Sequence, residues 1–169
     1  MSEFSRVFDL RHLPTGELAL EASAEERAAL TGRFQLVRID SLTARIRLEA
    51  DGTTVIAKGR LNAAIVQGCA VSGEDLAVAI DEPVDLRFVP PVAGTADEVE
   101  LDAAELDEIE MTPQGAFDLG EALAQSLALA IDPYAVGPQA EEARRRAGLL
   151  DPEASGPFAA LAALKAKPD

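Results

Sequence analysis

A chain of 169 residues with 48% hydrophobic content is long enough for one substantial core, and its single cysteine, Cys69, excludes an internal disulfide and a tetrahedral thiolate site within one chain. The formal net charge of -15 disfavours phosphate backbones and favours basic partners, while the lack of Trp, with only one Tyr and six Phe, leaves few stacking platforms for single-stranded nucleic acid. No apolar run reaches membrane-spanning length, and MSEFSRVFDLRHLPTG fits neither a signal nor a transit peptide, so a cytoplasmic protein with no membrane contact is expected.

In chain order, FSRVFDL reads as a first short strand and LALEAS as a second. Ser23 and Glu26 have the spacing of a capping box, in which hydroxyl and carboxylate satisfy each other's backbone donors, ahead of a short helix expected to stop at Gly32. The clearest pattern follows in SLTARIRLEADGTTVIAKGRLNAAIV. Asp51-Gly52 signals a two-residue hairpin turn, which places Ala50 opposite Thr53, Arg47 opposite Ile56 and Arg45 opposite Lys58. Side-chain parity supports the hairpin. One face collects Leu42, Ala44, Ile46, Leu48, Val55, Ala57 and Leu61; the other collects Thr43, Arg45, Arg47, Glu49, Thr54, Lys58 and Arg60, with Ile56 as the exception. The bases Arg45, Arg47, Lys58 and Arg60 form a patch that suits RNA phosphate, a carboxylate-rich partner or the chain's own acids, or that simply guards a solvent-facing strand surface.

Beyond Arg60 the run AAIVQGCAV is apolar on both faces, which implies a cover on the second side. A turn at Ser72-Gly73 leads into LAVAIDEPVDLRFVP, an extended run interrupted by Pro83, and the region reads as an antiparallel meander. Charge is uneven along the chain: residues 1–73 hold 9 acids and 9 bases, residues 74–110 hold 13 acids against Arg87 alone, and the remainder holds 8 acids and 5 bases. The densest part carries Asp97, Glu98, Glu100, Asp102, Glu105, Asp107, Glu108 and Glu110 just after the Pro90-Pro91 break. It reads as an exposed loop or edge, either a docking segment for a basic partner or a solubilising one.

FDLGEALAQSLALAIDPYA follows. Asp118 and Glu121 have N-cap and N3 spacing, and Leu119, Leu123, Leu127 and Ile131 recur every four residues. Ala122, Ala124, Ala128, Leu129 and Ala130 leave little polar surface, so the segment reads as a core helix packed on the sheet, with a dimer face as the alternative. Pro133 ends it at Asp132. PQAEEARRRAGLL, with a basic patch at Arg144 to Arg146, and PFAALAALK offer short helices beyond it. The expected organisation is one α+β domain over residues 1–138, with a short helical tail over 139–169. Its sheet is antiparallel, or a partly closed β-barrel, with a central hairpin, packed by one apolar helix and accompanied by short terminal helices.

Chemistry-bearing residues are sparse. Cys69 and His12 are the only thiol and imidazole, and the apolar surroundings of Cys69 suggest an inert buried thiol. The acidic stretch lacks the spaced ligands and glycine of a calcium loop, and there is no phosphate-cradling glycine loop or nucleophile elbow. No catalytic residue, metal site or cofactor is expected.

Three segments, RLNAAIVQGCAVSGEDLAVAIDEPVDLRFVP, FDLGEALAQSLALAIDPYA and PFAALAALK, together resemble the YceD-like proteins associated with accumulation of large-subunit ribosomal RNA, in their alphaproteobacterial form. The residues that carry the resemblance are Gln67, Cys69, Asp118, Leu119, Gly120, Glu121, Asp132, Pro133 and Tyr134. Many members carry paired cysteines at the strand; this chain has Cys69 alone, so a zinc site does not carry over. The resemblance implies a role in the synthesis, processing or stability of large-subunit (23S) rRNA. Combined with the charge, it points to a non-catalytic assembly factor whose partner is a large-subunit pre-ribosomal particle, a basic ribosomal protein or rRNA. A metal-dependent RNA-processing enzyme and a dimerising scaffold are the alternatives, and the oligomeric state is left open.

Overall fold

A computed structural model describes residues 3–91 and 108–148; the expected helix in PFAALAALK and the acids Asp97, Glu98, Glu100, Asp102, Glu105 and Asp107 lie outside the described residues. In chain order the elements are β1 (Val7–Asp9), one turn of 3-10 helix (Leu10–His12), β2 (Glu17–Glu21), α1 (Ala24–Phe34), β3 (Arg38–Asp51), β4 (Thr54–Gly68), β5 (Asp75–Val89), β6 (Glu108–Glu110), β7 (Ala116–Asp118), α2 (Leu119–Ala130) and α3 (Ala140–Arg146). The described residues divide into two compact units: 3–67 with 77–91 and 108–131, and 68–76 with 132–148.

The first unit contains a five-stranded sheet of order β2-β3-β4-β5-β6 and a two-stranded sheet, β1-β7. The α+β class stands, and the larger sheet is open, not a closed barrel. It is also not wholly antiparallel. β2·β3 and β3·β4 are antiparallel, but β6 lies parallel to β5 through Arg87↔Glu108, Phe88↔Ile109 and Val89↔Glu110. Parallel neighbours need a long connection, and the stretch between Val89 and Glu108 supplies one.

The central hairpin has the expected faces and a different register. Leu42, Ala44, Ile46, Leu48, Val55, Ala57 and Leu61 are all buried, while Arg45, Arg47, Lys58 and Arg60 are exposed. Yet Ala50 pairs with Val55, Arg47 with Lys58 and Arg45 with Arg60, so the turn residues are Gly52-Thr53, not Asp51-Gly52. Only Gly52 has positive φ, at 63°, the requirement at the first central position of a type II′ turn. Asp51 keeps its extended conformation and pairs with Thr54. Partners move by two residues, and since side chains alternate with period two, every residue keeps its face. Val66 at 2% exposure, one residue out of phase with buried Ile65 and Gln67, fits the expected cover on the second side of β4.

α1 begins at the expected capping box: Glu26 N–H donates to Ser23 Oγ at 3.2 Å and Ser23 N–H to Glu26 Oε2 at 2.7 Å. It does not stop at Gly32 but continues to Phe34, with Gln35 in the left-handed conformation at φ 55° as the cap. Glycine tolerates a helix interior at roughly 1 kcal/mol, so Gly32 alone does not end one. In α2, Leu119, Leu123 and Leu127 are fully buried in the core with Phe4, Phe88 and the inner face of the sheet. The helix ends at Ala130, with Ile131 extended at the cap. Among the described residues, no helix is long and apolar enough to cross a membrane.

Candidate functional site

The residues Asp118 to Glu121 act as a latch at the first turn of α2. Asp118 Oδ1 accepts from Glu121 N at 3.1 Å, capping the helix, and from Arg6 N at 2.7 Å; its Oδ2 accepts from Ser5 Oγ at 2.6 Å. Leu119 N donates to Arg6 O at 3.0 Å, continuing the β1·β7 ladder, in which Val7 pairs with Asp118. Gly120 is where the chains come closest: an added Cβ would lie 2.5 Å from Phe4 O and 2.8 Å from Arg6 N. Glu121 receives a fork from Arg33 of α1, at 2.7 and 3.0 Å, and Arg33 also reaches Glu3 at 2.9 Å. The guanidinium carries its charge across this fork and its pKa lies above the ordinary arginine value, chiefly through the hydrogen bonds to Glu121.

Arg6 closes the same region from the other side. It forks onto Glu26 at 2.6 and 3.0 Å, and that bond, followed by the backbone N–H of Ser23, lowers the Glu26 carboxyl to about 2. The N-terminal segment, α1 and the first turn of α2 are thereby joined through charged hydrogen bonds that cluster around a capping box and an N-cap. Arg6, Arg33 and Phe4 were not singled out in the sequence; nothing local marks them, since Arg33 and Glu121 are 88 residues apart.

The four predicted bases do come together on the exposed face of the hairpin. Arg45 is registered against Arg60, and Arg47 against Lys58, two like-charge cross-strand pairs that each cost up to about 1 kcal/mol. Carboxylates on the flanking strands offset them: Glu17 lies 3.8 Å from Arg45, Asp85 3.3 Å from Lys58 and Asp81 2.8 Å from Arg60. The Arg60 guanidinium holds Asp81 below the usual carboxylate range. The face is therefore banded, with acids on β2 and β5 beside bases on β3 and β4. Of the predicted acidic segment, Glu108 pairs with Arg87 at 3.1 Å and Glu110 ends β6 exposed.

Gln67 is buried near the end of β4 in the first unit. In the second unit Cys69 is also buried, and its sulfur accepts from Gly137 N at 3.3 Å and Ser72 N at 3.4 Å. These donors, Gly137 first and then Ser72 and Val71, lower the thiol from 9.0 to about 6 against the opposing effect of burial. Asp132 Oδ1 accepts from Tyr134 N at 2.9 Å, a local turn that Pro133 favours, and Tyr134 itself is exposed. Among the described residues, no group of three or more His, Cys, Asp or Glu side chains could hold a metal ion.

Comparison with known families now adds to this geometry. Residues 57–165 match the family model described as "Large ribosomal RNA subunit accumulation protein YceD". The chain belongs to the YceD family, which links it to large-subunit rRNA accumulation and hence to ribosome biogenesis. The family is named for an accumulation role and not for a catalysed reaction. Neither the curated proteins nor the solved structures return a significant match.

Proposed function

We propose that this chain supports large-subunit rRNA accumulation as a non-catalytic factor, engaging a basic ribosomal protein or a pre-ribosomal particle through its acidic surface. The observation that carries this reading is the charge balance of the hairpin face. Three of its four bases already lie within 4 Å of a carboxylate, so the largest cluster of exposed bases offers little free positive charge to a phosphate backbone. The chain's net charge of -15 then favours cationic partners by screened attraction. Sedimentation of cell extracts at low salt tests this: the protein should travel with large-subunit precursors and be released as salt rises. Absence from those fractions at every salt concentration would overturn the proposal.

A second reading puts RNA directly on Arg45, Arg47, Lys58 and Arg60. It is favoured by the two like-charge pairs, Arg45 with Arg60 and Arg47 with Lys58, an arrangement that stability alone does not select. Reversing all four charges should weaken RNA binding and flatten its salt dependence. Unchanged affinity eliminates this reading.

A further inference from the structure

β5 is flanked by β4 on one side, but on the other β6 covers only Arg87–Val89. From Ala77 to Leu86 the outer edge has no strand beside it among the described residues. Pro83 lies within this stretch, which agrees with an edge position, because proline gives no N–H to a ladder. An open edge carries unpaired backbone donors and acceptors and is a template for another strand.

Beside this edge lies a groove of about 330 Å³ between residues 82–86 and the last turn of α2. Val84, Leu86, Leu129 and Ala130 give it an apolar wall; Glu82 and Asp85 stand on its rim. Consecutive strand residues point to opposite faces, so a groove lined by five in a row opens along the strand's edge and not on one face of the sheet. Leu129 is 89% exposed, in a helix whose other leucines are fully buried.

The occupant follows from charge. Asp85 is shared with Lys58 and the neighbouring Asp81 with Arg60, whereas Glu82 acts on Arg60 only through longer-range Coulombic attraction, so three carboxylates face two bases here. A nucleic acid or acidic peptide would meet these carboxylates with like charge. A second copy pairing through the same edge would bring Asp81, Glu82 and Asp85 against their own equivalents, another like-charge contact. An extended segment whose cationic side chains alternate with apolar ones meets every feature: its backbone pairs with the edge, one apolar side chain fills the groove, and its cations reach the rim.

We infer that the outer edge of β5, with the groove under Leu129, is a docking site for an extended basic segment of a partner protein. This rests on the proposed function and names the surface it would use.

The test uses the full chain and a fluorescein-labelled ten-residue peptide alternating lysine and valine, followed by anisotropy. Binding is expected, and Leu129→Glu should weaken it by about tenfold or more, as loss of an interface anchor does. Amide exchange at Ala77–Leu86 should slow when the peptide binds. The inference is overturned if a glutamate-valine peptide binds equally well, if Leu129→Glu leaves affinity unchanged, or if a single-stranded RNA displaces the peptide with higher affinity. It is equally overturned if the edge amides of the free chain are already as protected as those of β4, since the chain would then cover its own edge. Co-sedimentation with large-subunit precursors that persists when the peptide assay fails would discard this surface and keep the functional reading.

Discussion

At its first turn α2 buries Leu119, Gly120, Ala122 and Leu123, is capped by Asp118, and is tied by Glu121 to Arg33. At its last turn Leu127 still reaches the core but Leu129 is 89% exposed; the turn carries no basic side chain, and its cap is the backbone bond from Ile131 N to Leu127 O. The same helix is sealed at one end and open at the other. Four of the residues that carry the family resemblance, Asp118, Leu119, Gly120 and Glu121, stand at the sealed end, where they hold backbone and side chains in place. The surface proposed for a partner stands at the open end. A recognisable motif therefore marks what the fold requires, which need not be where the molecule acts.

Substitutions at the sealed end should cost the most. Gly120→Ala puts a methyl group 2.5 Å from Phe4 O, a backbone atom that moves only with the whole N-terminal segment. A loss of about 3 kcal/mol in urea unfolding is expected. An unaltered midpoint would show that the close approach is not needed. Asp118→Ala removes the cap together with the acceptors of Ser5 Oγ and Arg6 N, and about 2 kcal/mol should go with it.

Acid sharpens the comparison further. The folded-state pKa of Glu26, about 2, lies below its ordinary value of 4.5, because of Arg6 first and then the Ser23 backbone donor. Its contribution is thus fully present above about pH 4.5 and is lost as pH falls through about 2. Melting temperatures measured down this range should fall less steeply for Glu26→Gln than for the unaltered chain. At the open end the smallest stability effect is expected: Leu129→Ser should stay within about 0.5 kcal/mol, since the side chain is almost wholly solvated.

Much of this architecture was legible before the structure, for physical reasons. The alternation in β3 and β4 assigned faces correctly even though the register was two residues off, because parity survives an even shift. Capping at Ser23 and Asp118 was readable because both ends of each bond lie three residues apart. The latch was not, since Arg6 meets Asp118 across 112 residues. Nor was the parallel pairing of β6, only three residues long, or the donors to Cys69, one of which lies 68 residues away at Gly137. The open end was not legible either: a helix with so little polar surface reads as covered on most sides, whereas Leu129, off the four-residue stripe of Leu119, Leu123 and Leu127, is 89% exposed.

The central claim is that the sealed end of α2 serves folding and the open end serves binding. It is tested most directly by measuring, for Leu129→Glu and Asp118→Ala side by side, the lysine-valine peptide affinity per folded molecule together with the melting temperature. The account predicts that Leu129→Glu loses affinity at an unchanged melting temperature, while Asp118→Ala melts earlier and its folded fraction binds normally. The reverse pattern, with Leu129→Glu binding as well as the unaltered chain and folded Asp118→Ala failing to bind, would contradict it.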